Sequence, residues 1–316
     1  MTGAPAEAVG VDVGGTKIAA VRVTAGGAVP VRARCATPRG TAAELVAAVA
    51  GLVERVRGER VAAVGVGLPG MVDARTGALA FAPGLEFARA PLRELIEDAV
   101  GLPVVTDNDA NVAAWAEYRR GAGRGHEHLV LVTLGTGLGC GVVVGGRLLH
   151  GARGFAAEAS HLTVDPGGVR CECGNLGCWG AAASGAAIAR LGGSTAREHP
   201  DSPLARLTGG GRTDAGAAVT AAARGGDDRA LAILDRIGTL TGVGLAALAN
   251  LFDPAVVIVG GGPVAAGELL LAPARAEFAR RLYSPGDRPP VPVVAAGFAD
   301  DAGAVGAALL ALDRLR

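Results

Sequence analysis

The sequence predicts an α/β protein of two lobes, each opening on a strand–turn–strand that carries glycine and threonine. Three observations lead there. V-D-V-G-G-T-K at Val11–Lys17 and L-G-T-G-L-G at Leu134–Gly139 repeat one arrangement in the two halves. Short β-branched runs alternate with segments of helical periodicity along the chain. Glycine accounts for 51 of 316 residues in a chain that is 50% hydrophobic and 19% charged, too apolar for disorder and rich in places where backbone comes close to something.

The elements follow in order. Ala8–Val13 reads as a strand, Ile18–Val23 as a second, Gly26-Gly27 as a hairpin turn and Val29–Ala36 as a third strand. Thr41-Ala-Ala-Glu44 is a capping box, and Leu45, Val49, Leu52 and Val56 then recur at helical spacing. Val61–Val66 is a buried strand ending in G-L-P-G; Pro103–Thr106 is another, leading into D-N-D-A-N and a helix from Val112 to Arg120. Leu129–Gly146 runs 18 residues without a charge, the length cue for a membrane span. Its six glycines make it two buried strands around a turn instead. Helices are predicted at Ala181–Leu191, Ala215–Arg224 and Asp228–Leu251, with a loop-rich stretch at Gly192–Gly211. A strand at Ala255–Val259, a helix from Glu268, a strand at Val291–Ala295 and a helix from Ala304 close the chain.

Composition narrows the partners. Lys plus Arg is 30 and Asp plus Glu is 30, so the net charge is zero, which argues against nucleic acid or an anionic membrane as partner. The N-terminal segment lacks a basic start and an apolar core, so a cytoplasmic protein is expected. Of the five cysteines, Cys171, Cys173 and Cys178 crowd together, which in a reducing compartment favours metal over disulfides. Lys17 is the single lysine, and it sits in the first glycine loop.

Several motifs carry chemistry. In V-D-V-G-G-T-K, backbone N–H groups around Gly14 and Gly15, the Thr16 hydroxyl and the Lys17 ammonium suit phosphate oxygens, and Asp12 suits Mg²⁺. The bland alternative is a plain hairpin turn. Gly135, Thr136 and Gly137 repeat the same logic, and two such loops describe two lobes gripping a nucleotide. T-D-N-D-A-N at Thr106–Asn111 ends a strand with acid and amide groups fit for hydroxyl recognition and proton removal, or for helix capping by Asp107 or Asp109. Strand-end placement does not say which aspartate would be the base. His161 followed by C-E-C-G-N-L-G-C matches a closed Cys₃His structural zinc site, with one imidazole nitrogen left for another partner. V-G-G-G at Val259–Gly262 lets a flat ring lie on backbone.

This ordered set, with G-V-G-L-P-G at Gly65–Gly70, G-F-A-A-E-A-S-H at Gly154–His161 and D-D-A-G at Asp300–Gly303, resembles the ROK family of sugar kinases and sugar-responsive repressors, especially its bacterial glucokinases. The resemblance spans Val9 to Gly306. It implies a two-lobed actin-like ATPase (ribonuclease H-like) fold, with residues 1–110 plus 301–316 as the smaller lobe and 111–300 as the larger, and nucleotide and sugar in the cleft between them. It implies ATP with Mg²⁺, phosphate contacts at Asp12, Gly14, Gly15, Thr16, Lys17, Gly135, Thr136 and Gly137, and nucleotide contact at Gly260, Gly261 and Gly262. Asp109 would be the general base. Pro69, Gly70, Asn108, Asp109, Glu158 and His161 would meet the sugar, and His161, Cys171, Cys173 and Cys178 would bind zinc.

The activity implied is phosphorylation of a hexose primary hydroxyl, with glucose first, by a homodimer or homotetramer. Two departures widen the choice of acceptor. Family members usually carry glutamate two residues after the last zinc cysteine, where Gly180 stands, and glycine where Ser160 stands. An N-acylhexosamine, another hexose or a cyclitol is therefore an alternative. A sugar-binding protein without catalysis is a further one; a repressor would need a DNA-reading helix ahead of the first loop.

Overall fold

The computed structural model describes residues 7–82, 90–208, 215–298 and 300–315. Its chain divides into two compact units, Met1–Leu131 with Gly141–Ala157 and Gly297–Arg316, and Val132–Cys140 with Glu158–Ala296. The division differs from the one expected at residue 110, because that point falls inside a helix packed on the last helix of the chain.

The first unit is built on a five-stranded sheet. Strands β1 (Glu7–Val13), β2 (Lys17–Val23), β3 (Val31–Ala36), β4 (Val61–Leu68) and β7 (Val104–Asn108) lie in the order β3-β2-β1-β4-β7. β1 runs antiparallel to β2, with Asp12 opposite Ala19, and parallel to β4, with Gly10 opposite Gly65. The residues between β4 and β7 include a small hairpin, β5 (Met71–Val72) and β6 (Leu79–Phe81), absent from the sequence reading because each strand is so short.

Alternation assigns the two faces of that sheet. Val9, Val11 and Val13 of β1 and Val64, Val66 and Leu68 of β4 pack with α1 (Ala42–Val56) and α2 (Leu92–Val100). The capping box forms: the Glu44 N–H donates to the Thr41 hydroxyl, and Glu44 accepts from the Thr41 N–H at 2.9 Å. On the other face stand Ala8, Gly10, Ala63 and Gly65, covered by α3 (Asp109–Arg120) and α10 (Ala302–Arg314). Small residues are required there. A Cβ on Gly10 would stand 1.8 Å from the Ala304 carbonyl oxygen, and one on Gly65 would stand 1.9 Å from that of Ala307. Glu117 of α3, fully buried, fastens the return of the chain by accepting from the backbone N–H groups of Ala122, Gly297 and Phe298 at 2.7, 3.1 and 2.8 Å.

The chain leaves this unit within β8 (Leu129–Leu134) and re-enters it within β9 (Leu138–Val144). The run flagged for its length without a charge is thus two strands of the second sheet, ordered β10-β9-β8-β11-β12, where β10 is Arg147–Leu148, β11 Val256–Gly260 and β12 Val293–Ala295. In the second unit, α4 (Trp179–Ala182), α5 (Gly185–Glu198), α6 (Pro203–Thr208) and α7 (Ala215–Arg224) precede the long α8 (Asp228–Phe252) and α9 (Glu268–Arg281). α8 is long and apolar enough to cross a membrane by composition, yet 56% of its apolar window is buried here against protein. Gly238 and Gly242 let α9 lie close, since a Cβ on either would fall within 2.5 Å of an α9 carbonyl oxygen.

Gly192–Gly211 is corrected by this structure. α5 continues to Glu198 and α6 covers Pro203–Thr208; only Gly209–Gly211 lie outside the described residues. Gly192 does not break α5, because it is the side that meets Val219 of α7.

Gly65→Ala should therefore lower the unfolding free energy by about 3 kcal/mol or more, since helix backbone cannot yield as a side chain can. Gly51→Ala, on α1 with nothing within 4 Å of the added carbon, should raise it by roughly 0.5–1 kcal/mol. Urea unfolding of both variants checks the pair; equal midpoints would refute the packing argument.

Candidate functional site

In the first unit the glycine loop after β1 is held at both ends. The Gly14 N–H donates to the Lys17 carbonyl at 3.0 Å, the Thr37 hydroxyl donates to the Gly14 carbonyl at 2.6 Å, and the Thr37 N–H donates to the Thr16 carbonyl at 3.1 Å. Gly15, Thr16 and Lys17 stay exposed at the tip. Thr37 was missed in sequence because it lies beyond β3, with no motif of its own. Lys17 is not idle: its Nζ sits 3.0 Å from Asp300 Oδ2 in an exposed pair, and Arg34 stands 4.0 Å from the same oxygen.

Asp12 points to the face covered by α10, where its carboxylate lies under Gly303; a Cβ there would stand 2.6 Å from Asp12 Cγ. Burial pushes the Asp12 carboxyl up to about 6, with the Lys17 charge opposing. A cation placed there would return the group to its ionised form.

The turn from β7 into α3 is the most tightly wired part of this unit. Asn108 is the helix cap, in place of the aspartates considered from sequence. Its Oδ1 accepts from the Ala110 and Asn111 N–H groups at 2.9 and 3.1 Å, and its Nδ2 donates to the Gly70 carbonyl at 2.9 Å. The Pro69–Gly70 segment and Asn108 are therefore brought together, with Gly70 at φ +84 where a side chain would strike the Phe81 carbonyl. One Asn108 amide hydrogen remains for a further partner. Asp109 opens the helix and accepts from the Ala110 N–H at 2.8 Å. Its carboxylate thus stands at the N-terminus of α3.

The second unit gathers three of the predicted groups. The Gly135 carbonyl accepts from the Gly185 N–H at 2.8 Å, at the first turn of α5, and the Gly135 N–H donates to the Gly137 carbonyl at 2.9 Å. Gly261, at φ +93, lies against Leu134, where a Cβ would meet the carbonyl oxygen at 2.1 Å. The Gly135–Gly137 loop, the Gly260–Gly262 run and the start of α5, capped by Ser184, form one cradle of backbone. Gly137 and Gly262 have open space on their Cβ side. Backbone donors and a helix N-terminus together favour phosphate oxygens.

Glu158 and His161 stand on a single turn of 3-10 helix, joined by the His161 N–H donating to the Glu158 carbonyl at 3.2 Å. Ala157 before them has φ +68, a strained conformation for a residue with a Cβ. Glu158 keeps contact with solvent, yet the protein around it raises its carboxyl above the ordinary range, opposed by His161.

The zinc expectation passes a test of geometry. One ligand atom each from His161, Cys171, Cys173 and Cys178 lies within 4.8 Å of the others. His161 Nδ1 is 3.8 Å from Cys171 Sγ, and the sulfurs of Cys173 and Cys178 are 3.6 Å apart. A tetrahedral ion with Zn–S bonds of about 2.3 Å needs sulfurs about 3.8 Å apart. No cysteine is in a disulfide. Backbone fixes the loop: the Cys171 N–H donates to the Asn175 carbonyl at 2.8 Å, and Thr163 bridges Cys178 as a strand pair. With Nδ1 committed to this cluster, His161 Nε2 is left for another partner.

The two departures from the family pattern turn out to be neighbours. A Cβ on Gly180 would lie 3.2 Å from Ser160 Cβ and 3.4 Å from the Ser160 carbonyl oxygen.

The molecule has known relatives. The ROK family profile matches residues 8–314. A glucokinase of Streptomyces coelicolor is 42% identical over 307 residues, covering 96% of both chains. Among solved structures, a ROK family glucokinase from Streptomyces griseus in complex with glucose and AMPPNP has a TM-score of 0.87 and 44% identity, over 97% of this chain and 99% of that one. A ROK hexokinase from Thermus thermophilus has a TM-score of 0.77 and 34% identity, over 98% and 99%.

Two measurements follow. Purified protein should carry one zinc per chain by atomic absorption; Cys178→Ser should lose it with a fall in Tm, and Cys140→Ser should keep it. Retention of zinc by Cys178→Ser would remove the ligand assignment. Asp12 binds its proton more tightly in the folded state, so its contribution to stability is lost as pH rises from 3.8 through about 6. Asp12→Asn should stabilise the protein at pH 7.5 by on the order of 2 kcal/mol and leave it unchanged near pH 4. Urea titrations at both pH values check this.

Proposed function

The chain belongs to the ROK family, whose sugar kinase and actin-like ATPase fold it carries, and from that premise we propose that it is a glucokinase, transferring the γ-phosphoryl group of ATP to the primary hydroxyl of glucose. The observation that carries this reading is the likeness, over nearly the whole chain, to a glucokinase that was crystallised with glucose and AMPPNP.

The residues have roles that suit it. Asp109 accepts the hydroxyl proton as the oxygen attacks in line. Asn108, through its spare amide hydrogen, Glu158, His161 Nε2 and the Pro69–Gly70 segment bind the remaining sugar hydroxyls. Gly14, Gly15, Thr16 and Lys17 hold phosphate oxygens, Lys17 exchanging Asp300 for the anion. Gly135, Thr136 and Gly137 do the same, Gly260, Gly261 and Gly262 carry the nucleotide base, and Asp12 holds Mg²⁺, which supplies charge to the transferring group. The zinc is structural, since its four ligands leave no open position. The enzyme works in the cytoplasm as a homo-oligomer, without nucleic acid or membrane.

A second acceptor is favoured by one contact. Ser160 occupies the side of Gly180 from which a longer residue would extend, so the carboxylate usual at position 180 is missing and Ser160 stands beside the gap. That suits a related polyol, such as an N-acylhexosamine, another hexose or a cyclitol.

A sugar panel with coupled ADP release decides between the acceptors. Glucose should turn over at ordinary kinase rates, and Asp109→Asn should lower kcat by about 10³-fold with glucose still bound. Unchanged turnover in Asp109→Asn would remove Asp109 as the base, and a purified protein that phosphorylates no member of the panel would leave sugar binding alone.

A further inference from the structure

Asp107 has no part in the chemistry above, yet it is the best-connected carboxylate of its turn. It is 7% exposed. Its Oδ1 accepts from the Asn108 backbone N–H at 2.7 Å and from Asn111 Nδ2 at 2.9 Å. Its Oδ2 lies 2.7 Å from Nε2 of His150, a half-buried residue just past β10. Burial makes each polar contact of this side chain count, and His150 supplies the one on Oδ2.

The contacts form a chain. His150 holds Asp107; Asp107 holds the Asn108 N–H and the Asn111 side chain; Asn108 caps the first turn of α3 and ties it to Gly70. Asp109 stands between the two asparagines.

We propose that His150 is a positioning residue for Asp109: as the imidazolium it fixes Asp107, and Asp107 fixes the two asparagines that set where the first residue of α3 points. The proposal rests on the reading of Asp109 as the base. The His150 contact is to Asp107, so its effect passes through the turn.

Charge decides the sign. The hydrogen bond to Asp107 raises the His150 imidazole above its ordinary value, burial opposes, and the Asp107 charge adds to the rise. Arg314, the last residue of α10, is a second charged group that acts on it, and lowers it. The imidazolium therefore persists to higher pH than that of an unperturbed histidine. A neutral ring with its proton on Nε2 would keep the hydrogen bond to Asp107 and lose the charge, so the ion pair that holds the turn weakens as pH rises.

Two readouts test this. In wild type, kcat should fall severalfold as pH passes through the His150 titration, with the KM for ATP unmoved. His150→Gln, which keeps a donor and cannot titrate, should flatten that limb and lower kcat at pH 7 by about tenfold. Hydrogen exchange at the Ala110 and Asn111 amides, corrected for intrinsic rates, should quicken over the same range in wild type and stay level in the variant. Identical pH profiles and identical exchange in the two proteins would overturn the proposal. If wild type phosphorylates no sugar, the proposed function fails while the exchange data still judge His150. Should His150→Gln fold poorly, NMR titration serves: Asp107→Asn must move the His150 imidazole down toward 6.5, and an unmoved titration refutes the pairing.

Discussion

Much of the first unit depends on how closely α10 approaches the sheet. Gly10 of β1 and Gly65 of β4 are opposite one another in register, and each leaves room for a helix carbonyl that a methyl group would displace. Gly306 does the same on the α3 side, where a Cβ would stand 1.6 Å from the Val112 carbonyl oxygen. Sheet, α10 and α3 thus meet backbone to backbone. Dispersion falls steeply with separation, so this contact gives more attraction per residue than an ordinary side-chain layer and tolerates less change.

Function follows from the same approach. It sets the first turn of α10 above Asp12, so the carboxyl is desolvated, and it brings Asp300 within reach of Lys17. It also fixes the far side of α3, whose near end carries Asn108 and Asp109. A desolvated carboxyl beside an exposed glycine loop suits the cation role proposed for Asp12. The loop itself owes its shape to Thr37, whose hydroxyl and N–H both go to its carbonyls.

The sequence showed the long strands, the capping box and the cysteine cluster because each depends on residues close together in the chain. Apolar β-branched runs placed β1 and β4 within two residues, and C-E-C-G-N-L-G-C after His161 gave a ligand set whose atoms do converge. It did not show the His150–Asp107 pair or the Glu117 clasp, since in each the partners are distant in sequence and neither is unusual alone, and it marked Ser160 and Gly180 singly without showing that they touch. Glycine was legible as an excess and not as a purpose. Gly10, Gly65, Gly238, Gly242 and Gly306 serve helix packing, whereas the loops at Gly14–Gly15, Gly135–Gly137 and Gly260–Gly262 were the ones a phosphate argument could find. The helix after Gly192 was hidden for the same reason: a glycine pair reads as a break unless its neighbour is known.

The position of α10 also bears on how the molecule is made. The strands it covers are among the first parts of the sequence, and α10 is among the last. Until α10 is synthesised, one face of that sheet presents Ala8, Val21, Val23 and Ala63 to water. Closing it joins residues separated by nearly the whole sequence, a costly loop that slows folding and keeps a sticky intermediate alive. The first unit therefore cannot be completed until α10 has been synthesised.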